Sequence, residues 1–240
     1  MNLSARRIRG IFRKELRDYR RNVPVIVSMA YLPLIFLIQP IVVIFKVDSS
    51  TAQIISHAPV LLYMLAIPAL TPAMVAAYAV IGERQQGTLE PVLTTPIRRE
   101  ELLLGKAMAA LVPSVAVSYT VFAVFVLVVD IFAAHGIAAA LIQGPQLLAQ
   151  LVFTPLLAAA SIWIGIAIST RSNDVRTAQA LSLLATIPLA VPTALMAFKV
   201  IPATLGIALG FAAVLVLADG LGWRFVSAMF DRERLITGTR

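Results

Sequence analysis

Not one side chain in residues 23–45 carries a formal charge, and the same holds for residues 58–82, 107–129 and 131–170. About twenty apolar residues are enough for a helix to cross a bilayer, so each of these runs can span. An ordinary soluble domain is about one-quarter charged. This chain of 240 residues is 13% charged and 60% hydrophobic, which excludes that class and leaves an all-α integral membrane protein. A net charge of +8 would suit nucleic acid if it covered one face of a soluble fold. Here the basic residues stand in short runs between apolar segments, a pattern of membrane orientation that excludes nucleic acid as a partner. Cysteine is absent, and with it any disulfide framework, thiolate nucleophile or cysteine metal site. No cleavable signal peptide is expected, because the N-terminal basic run is long and leads into a full-length span.

Apolar runs and turn residues predict one hydrophobic domain over residues 1–240 with six spans, at about 23–45, 58–82, 107–129, 147–170, 177–197 and 203–223. Residues 1–22 hold eight of the twenty basic residues. Their apolar members Ile8, Phe12, Leu16 and Tyr19, with Ile11 alongside, recur at helical spacing. That pattern predicts an amphipathic helix in the inner membrane interface, with Arg13, Lys14 and Arg17 toward headgroups or water and the stripe toward lipid or the bundle. The plainer alternative is an orientation signal alone. Pro33 and Pro40 are expected to bend the first span. Pro68 and Pro72 are expected to kink the second, with neighbouring helices or Thr71 satisfying the freed carbonyls. Residues 46–57 read as an outer loop, 131–146 as an outer loop or short surface helix, 171–176 as a polar turn, 198–202 as a short outer connection and 224–240 as a basic tail. Eighteen of the twenty lysines and arginines then lie on the side of both termini, against Lys46 and Lys199 on the other. That asymmetry places both termini in the cytoplasm and the chain in the plasma (inner) membrane as a multi-pass protein.

The exception to this oily pattern is a charged, turn-rich elbow over residues 83–106, between the second and third spans. Gly87 permits a tight turn, Thr88 can cap the first free amides of a short helix, and Glu90 suits the positive end of its dipole. Leu89, Val92 and Leu93 fall at i, i+3 and i+4, an apolar knob on a helix too short to be stable unless packed on something. Thr95-Pro96 ends that helix and can start another, followed by Arg98, Arg99, Glu100 and Glu101. Gly105-Lys106 returns the chain to the bilayer. A solvated loop kept out of lipid by its charges would not require the cap, the apolar triplet and the restart together.

The pattern Glu83-Arg84-x-x-Gly87-Thr88-Leu89-Glu90-x-x-Leu93-x-Thr95-Pro96-x-Arg98-x-Glu100-x-x-x-x-Gly105-Lys106 resembles the signature between the second and third spans of type-2 ABC exporter permeases. The six-span layout, the basic N-terminal helix and the polar turn after the fourth span resemble that family too, so the likeness covers essentially the whole chain. The resemblance implies a coupling helix over residues 88–93, Val92 included, docked in a groove on a separate ATPase subunit. Glu83 and Arg84 would then stand at its membrane-proximal base, and Gly105 and Lys106 at the return. It also implies two copies of the ATPase, which bind ATP and Mg, and a second permease subunit in a homodimer or heterodimer. No cofactor is expected in this chain. ATP-driven closure would move the docked elbow and convert the path between subunits from inward-open to outward-open. The connection between the fifth and sixth spans is short for a family that often has re-entrant helices there, so either the outer gate is simplified or the helix boundaries lie elsewhere.

Catalytic chemistry is not expected. Gly105-Lys106 lacks the spacing of a phosphate-binding loop, so ATP hydrolysis belongs to another chain. His57 and His135 are isolated from other metal ligands. Ser28, Ser114 and Ser118 have no histidine partner and read as packing or backbone-bonding groups. Asp219 is the one ionisable residue at membrane depth, low in the sixth span where Arg224 could pair with it, and a single carboxylate so placed weakens a proton-driven carrier. The Gly206/Gly210 pair and the Ser161, Gly165, Ser169 series suit close helix packing within one subunit or a dimer seam. Nearly uncharged spans favour a hydrophobic or amphipathic cargo, small molecule or lipid-like, with Gln39, Met64, Thr71 and Met74 as candidates to line its path. The rival reading is a non-transporting membrane scaffold or assembly factor that binds a soluble protein through the same elbow.

Overall fold

The computed structural model describes residues 3–46, 60–85, 87, 97–132, 142 and 144–229. Its described elements are all helical: α1 (Ala5–Arg21), α2 (Val23–Lys46), α3 (Val60–Tyr63), α4 (Ala66–Ala76), α5 (Tyr78–Gln85), α6 (Arg99–Phe132), α7 (Gly144–Arg171), α8 (Val175–Ala197) and α9 (Leu205–Met229). Six segments are long and apolar enough to cross a bilayer: α2, the run of α3 to α5, and α6 to α9. The expected loop with Ser50 and His57, the surface segment around His135 and the tail beyond Met229 lie outside the described residues.

The second span is the central staff of the bundle. Its small residues Ala69, Ala73, Ala76 and Ala77 are wholly buried, and α4 packs against α2, α6, α7 and α8. A helix enclosed on every side must be apolar around its whole circumference, which is how these residues read. The span is also broken twice. The first break, at Met64–Leu65, falls one turn before Pro68, whose ring clashes with the carbonyl four residues back. At the second, Ala77, a neighbouring helix takes part: the amides of Val80 and Ile81 donate to Ser169 Oγ at 3.1 and 3.3 Å. One turn of bundle higher, the Ala73 amide donates to Ser161 Oγ at 3.0 Å. Gln179 Nε2 donates to the Met74 carbonyl at 3.3 Å. Neighbouring helices thus bond three amides and one carbonyl of the second span, the Met64 carbonyl before Pro68 accepts from Ile67 of the same span, and Thr71 Oγ1 has no hydrogen-bond partner among the described residues.

Gly165 belongs to the same face of α7 as Ser161 and Ser169. A Cβ there would stand 2.4 Å from the Ala73 carbonyl oxygen and 2.9 Å from Ala76 Cβ. The small series of the fourth span therefore packs inside the subunit. Around Gly206 and Gly210 there is nothing within 4 Å of an added Cβ. Asp219 and Arg224 form no ion pair among the described residues, and five residues of helix turn the two side chains roughly 140° apart.

Two turns complete the frame. Asp174 caps α8, accepting from the Thr177 amide at 2.9 Å and from Thr177 Oγ1 at 3.2 Å, and the backbone bond holds its carboxyl below the usual range. At the other end of α8 the Val200 amide donates to the Leu195 carbonyl at 2.9 Å and the Lys199 amide to the Met196 carbonyl at 3.1 Å. These are the two bonds of a Schellman cap, and Lys199 takes its left-handed position at φ 60. Helix α9 starts at Leu205, so the connection between the last two spans is short as expected.

Gly165→Ala is expected to destabilise the chain by about 1–3 kcal/mol through overpacking of the second span, whereas Gly210→Ala changes it by less than about 0.5 kcal/mol. Thermal unfolding in detergent checks this; equal effects would show that the α4–α7 contact is not tight.

Candidate functional site at the roots of the elbow

The elbow leaves the second span at α5 and rejoins the bundle along α6. At each root a glycine precedes a charged residue: Gly82-Glu83 on α5 and Gly105-Lys106 on α6. Lys106 has no solvent exposure. Its Nζ lies 2.9 Å from Glu15 Oε1 and 2.8 Å from Glu83 Oε2. Glu15 and Glu83 are 4% and 6% exposed, so three charges from three helices meet in the interior. Lys14, on the solvent side, contacts Glu83 Oε1 and stands 3.6 Å from Glu15 and 4.0 Å from Asp18. Two ammoniums against the two buried carboxylates leave the centre neutral, which is what allows it to be buried.

The glycines set the distances. A Cβ on Gly105 would fall 2.6 Å from Ile11 Cγ2 and 3.4 Å from the Ile8 carbonyl, so only glycine lets α1 lie flat on α6. A Cβ on Gly82 would fall 2.5 Å from the Tyr78 ring, which packs edge-on against Tyr19 with centroids 6.5 Å apart. Burial pushes the Tyr19 phenol well above its ordinary pKa, and the carboxylates of Glu15 and Glu83 push it further, so it stays neutral beside them.

A second tie joins the start of α1 to the start of α6. The Glu101 carboxylate, 1% exposed, accepts from the Ser4 amide at 2.8 Å, from Arg7 Nη1 at 3.3 Å and from the Arg98 amide at 3.2 Å. The bond to Arg98 is the reach-back half of a capping box on α6. Since Ser4 is the N-cap of α1, one carboxylate orders the first turns of two helices.

Helix α1 is accordingly two-faced. Ile11, Glu15 and Tyr19 are buried at four-residue spacing. Arg6, Arg9, Arg13, Arg17, Arg20 and Arg21 are exposed, and helical geometry gathers them into an arc of about 120° opposite that buried face.

Of the residues singled out in the sequence, Glu83, Gly105, Lys106 and Lys14 come together here. Glu100 lies in the first turn of α6, 3.7 Å from Arg99, while Arg98, Arg13 and Arg17 are exposed. Arg84 lies on α5 and Gln39 on α2, but their side chains are outside the description. Gly87 is exposed in a turn at φ 66, a left-handed conformation that favours glycine. Thr88, Leu89, Glu90, Val92, Leu93 and Pro96 lie outside the described residues. Met64, Thr71 and Met74 are 0%, 2% and 7% exposed, in the interior of the bundle, and Tyr31 Oη lies 3.4 Å from Met74 Sδ. Sequence reasoning missed Glu15 and Glu101. The signal for Glu15 was present: an acidic residue on the apolar stripe, four residues from Ile11 and from Tyr19, needs a buried cation. Glu101 could have been found as the third residue of a helix restarted after Pro96.

Among the described residues no cluster of three metal-type side chains occurs. Six bilayer-length apolar segments, the segmented central span among them, define a multi-pass helical membrane protein. Residues 9–210 match the family described as ABC-2 family transporter protein, and the chain belongs to it. Members are non-catalytic transmembrane permease components that typically pair with a nucleotide-binding ATPase subunit, so this chain is a transporter permease and not an enzyme. No curated protein matches the chain.

Lys106→Met is expected to cost about 3–5 kcal/mol by leaving Glu15 and Glu83 buried with one cation too few. Adding Glu83→Gln restores neutrality, and a double-mutant cycle on thermal unfolding should return a coupling of about 0.5–3 kcal/mol in the stabilising direction. Strict additivity would mean that Lys106 and Glu83 do not sense one another.

Proposed function

We propose that this chain is the permease of an ATP-driven exporter whose elbow, residues 83–106, is the handle gripped by a separate ATPase. The observation that carries this reading is the Lys106 network: Glu83 at the start of the elbow, Lys106 at its end and Glu15 on α1 are tied together in the interior. A loop with no mechanical duty does not require its two roots and an interfacial helix to be bound into one piece. A push on the elbow is then delivered to α5, α6 and α1 together.

In this reading residues 1–240 form a single transmembrane domain in the plasma membrane, both termini cytoplasmic. Two such subunits, in a homodimer or heterodimer, stand over two ATPase subunits that bind ATP and Mg. Residues 88–93 dock on the ATPase. The arginine arc of α1 lies at headgroup level, because Asn22 alone separates α1 from the membrane span α2. Cargo is hydrophobic or amphipathic, moved by the difference in its affinity for the inward-open and outward-open states, so no covalent chemistry falls to this chain.

Leu89→Asp or Glu90→Arg is expected to abolish co-purification of the ATPase while membrane insertion stays intact, and to remove any stimulation of ATP turnover by the permease. Retained association would take the elbow out of the mechanism, and association without stimulation would favour a tether over a transporter. For topology, a cysteine placed at Gln86 should resist an impermeant reagent added to intact cells, and one at Ser50 should react.

A further inference from the structure

At the end of the bundle away from the Lys106 network, the first turns of α7, the last turns of α8 and the first turns of α9 enclose a lateral groove of about 1010 Å³. Leu62, Val152, Phe153, Met196, Ala208 and Leu209 make its apolar wall. Lys199 is the only charged residue among the described residues that line it.

Lys199 is unusual for a reason independent of the groove. It occupies the left-handed position of the Schellman cap on α8, at φ 60, where glycine is the ordinary residue because a Cβ is penalised there. Both bonds of that cap run between main-chain groups, so the cap makes no use of the lysine side chain. A residue kept in a conformation its side chain disfavours points to a use for the side chain itself. The side chain stands at the edge of an apolar groove whose lining includes Leu148, Leu205 and Leu209, exposed leucines on two of the spans, the kind of surface that meets lipid. The complement of an apolar trough with one ammonium at its rim is an apolar body carrying one anion.

We propose that this groove binds an anionic phospholipid of the surrounding leaflet, its headgroup phosphate on Lys199 and its acyl chains along Phe153, Met196 and Leu209. The volume lies at the top of the range of about 300–1,000 Å³ usual for small-molecule sites, which favours a two-chain lipid over a single-chain fatty acid. The site stands apart from the elbow and holds whether or not an ATPase grips it.

The purified full chain in detergent, titrated with phosphatidylglycerol, phosphatidylcholine or oleate and read by native mass spectrometry, tests this. Wild type is expected to retain one phosphatidylglycerol about tenfold more tightly than phosphatidylcholine. Lys199→Arg keeps that preference, Lys199→Gly loses it, and Ala208→Trp, which fills the groove, loses retention of both lipids. Lys199→Gly is also expected to raise the melting temperature by relieving the left-handed position, which separates loss of lipid from loss of fold. Equal retention of phosphatidylglycerol by wild type and Lys199→Gly would overturn the proposal. So would tighter retention of oleate, or a Leu209→Cys cross-link between two copies that excludes the lipid and so makes the groove a seam between subunits.

Discussion

A lysine with no exposure to solvent, held between carboxylates from two other helices, is the contact on which the rest of this arrangement depends. Moving an ammonium out of water costs several kcal/mol even after the protein relaxes, so Lys106 can sit where it does only while Glu15 and Glu83 meet it. That condition is directional. It fixes α1, α5 and α6 relative to one another in a way that apolar contacts between smooth helices would not, because apolar burial tolerates sliding. Gly105 and Gly82 extend the condition to the backbone, since each makes room for the α1 side chain or aromatic ring that brings the charges within reach. Glu101 repeats the device at the first turns of α1 and α6.

The two spans that flank the elbow differ in kind. The third begins within the elbow and runs as one helix of 34 residues, about 50 Å long, with the single missing amide of Pro113 inside it. The second is in pieces, and its last piece hands two amides to Ser169 of the fourth span. On the proposed reading a displacement of the elbow passes directly along α6. Along α5 it meets the break at Ala77, beside which two amides donate to Ser169 of a neighbouring helix. On the same reading the fourth span is part of the load path, although nothing in its hydropathy marks it as such.

Much of the architecture was legible because its cause is local. Charge-free runs mark helices that must cross lipid, and the ends of α2 and α8 fall close to where the charges begin. The family likeness was legible in the elbow itself, where turn, cap and apolar residues crowd into one window. The pairing of Lys106 with Glu15 was not, because it joins residues 91 apart through a packing geometry that no local pattern states. For the kinked second span the sequence offered neighbouring helices or Thr71; Ser161, Ser169 and Gln179 of neighbouring helices bond its backbone, and Thr71 Oγ1 has no partner among the described residues, since helix packing decides which hydroxyl comes within reach. Asp219 and Arg224 are near in sequence, yet helical phase sets them on different faces.

The central claim is that α1 and the two roots of the elbow move as one body. Pulsed electron-spin distances between labels at Arg17→Cys on α1 and Gln85→Cys on α5, taken with the ATPase partner present, without nucleotide and during ATP turnover, test it most directly. A distance that stays constant while the same label at Arg17 changes its distance to its counterpart on the second subunit is the expected result. A change between Arg17 and Gln85 of more than roughly 5 Å, about one helical turn, would contradict it.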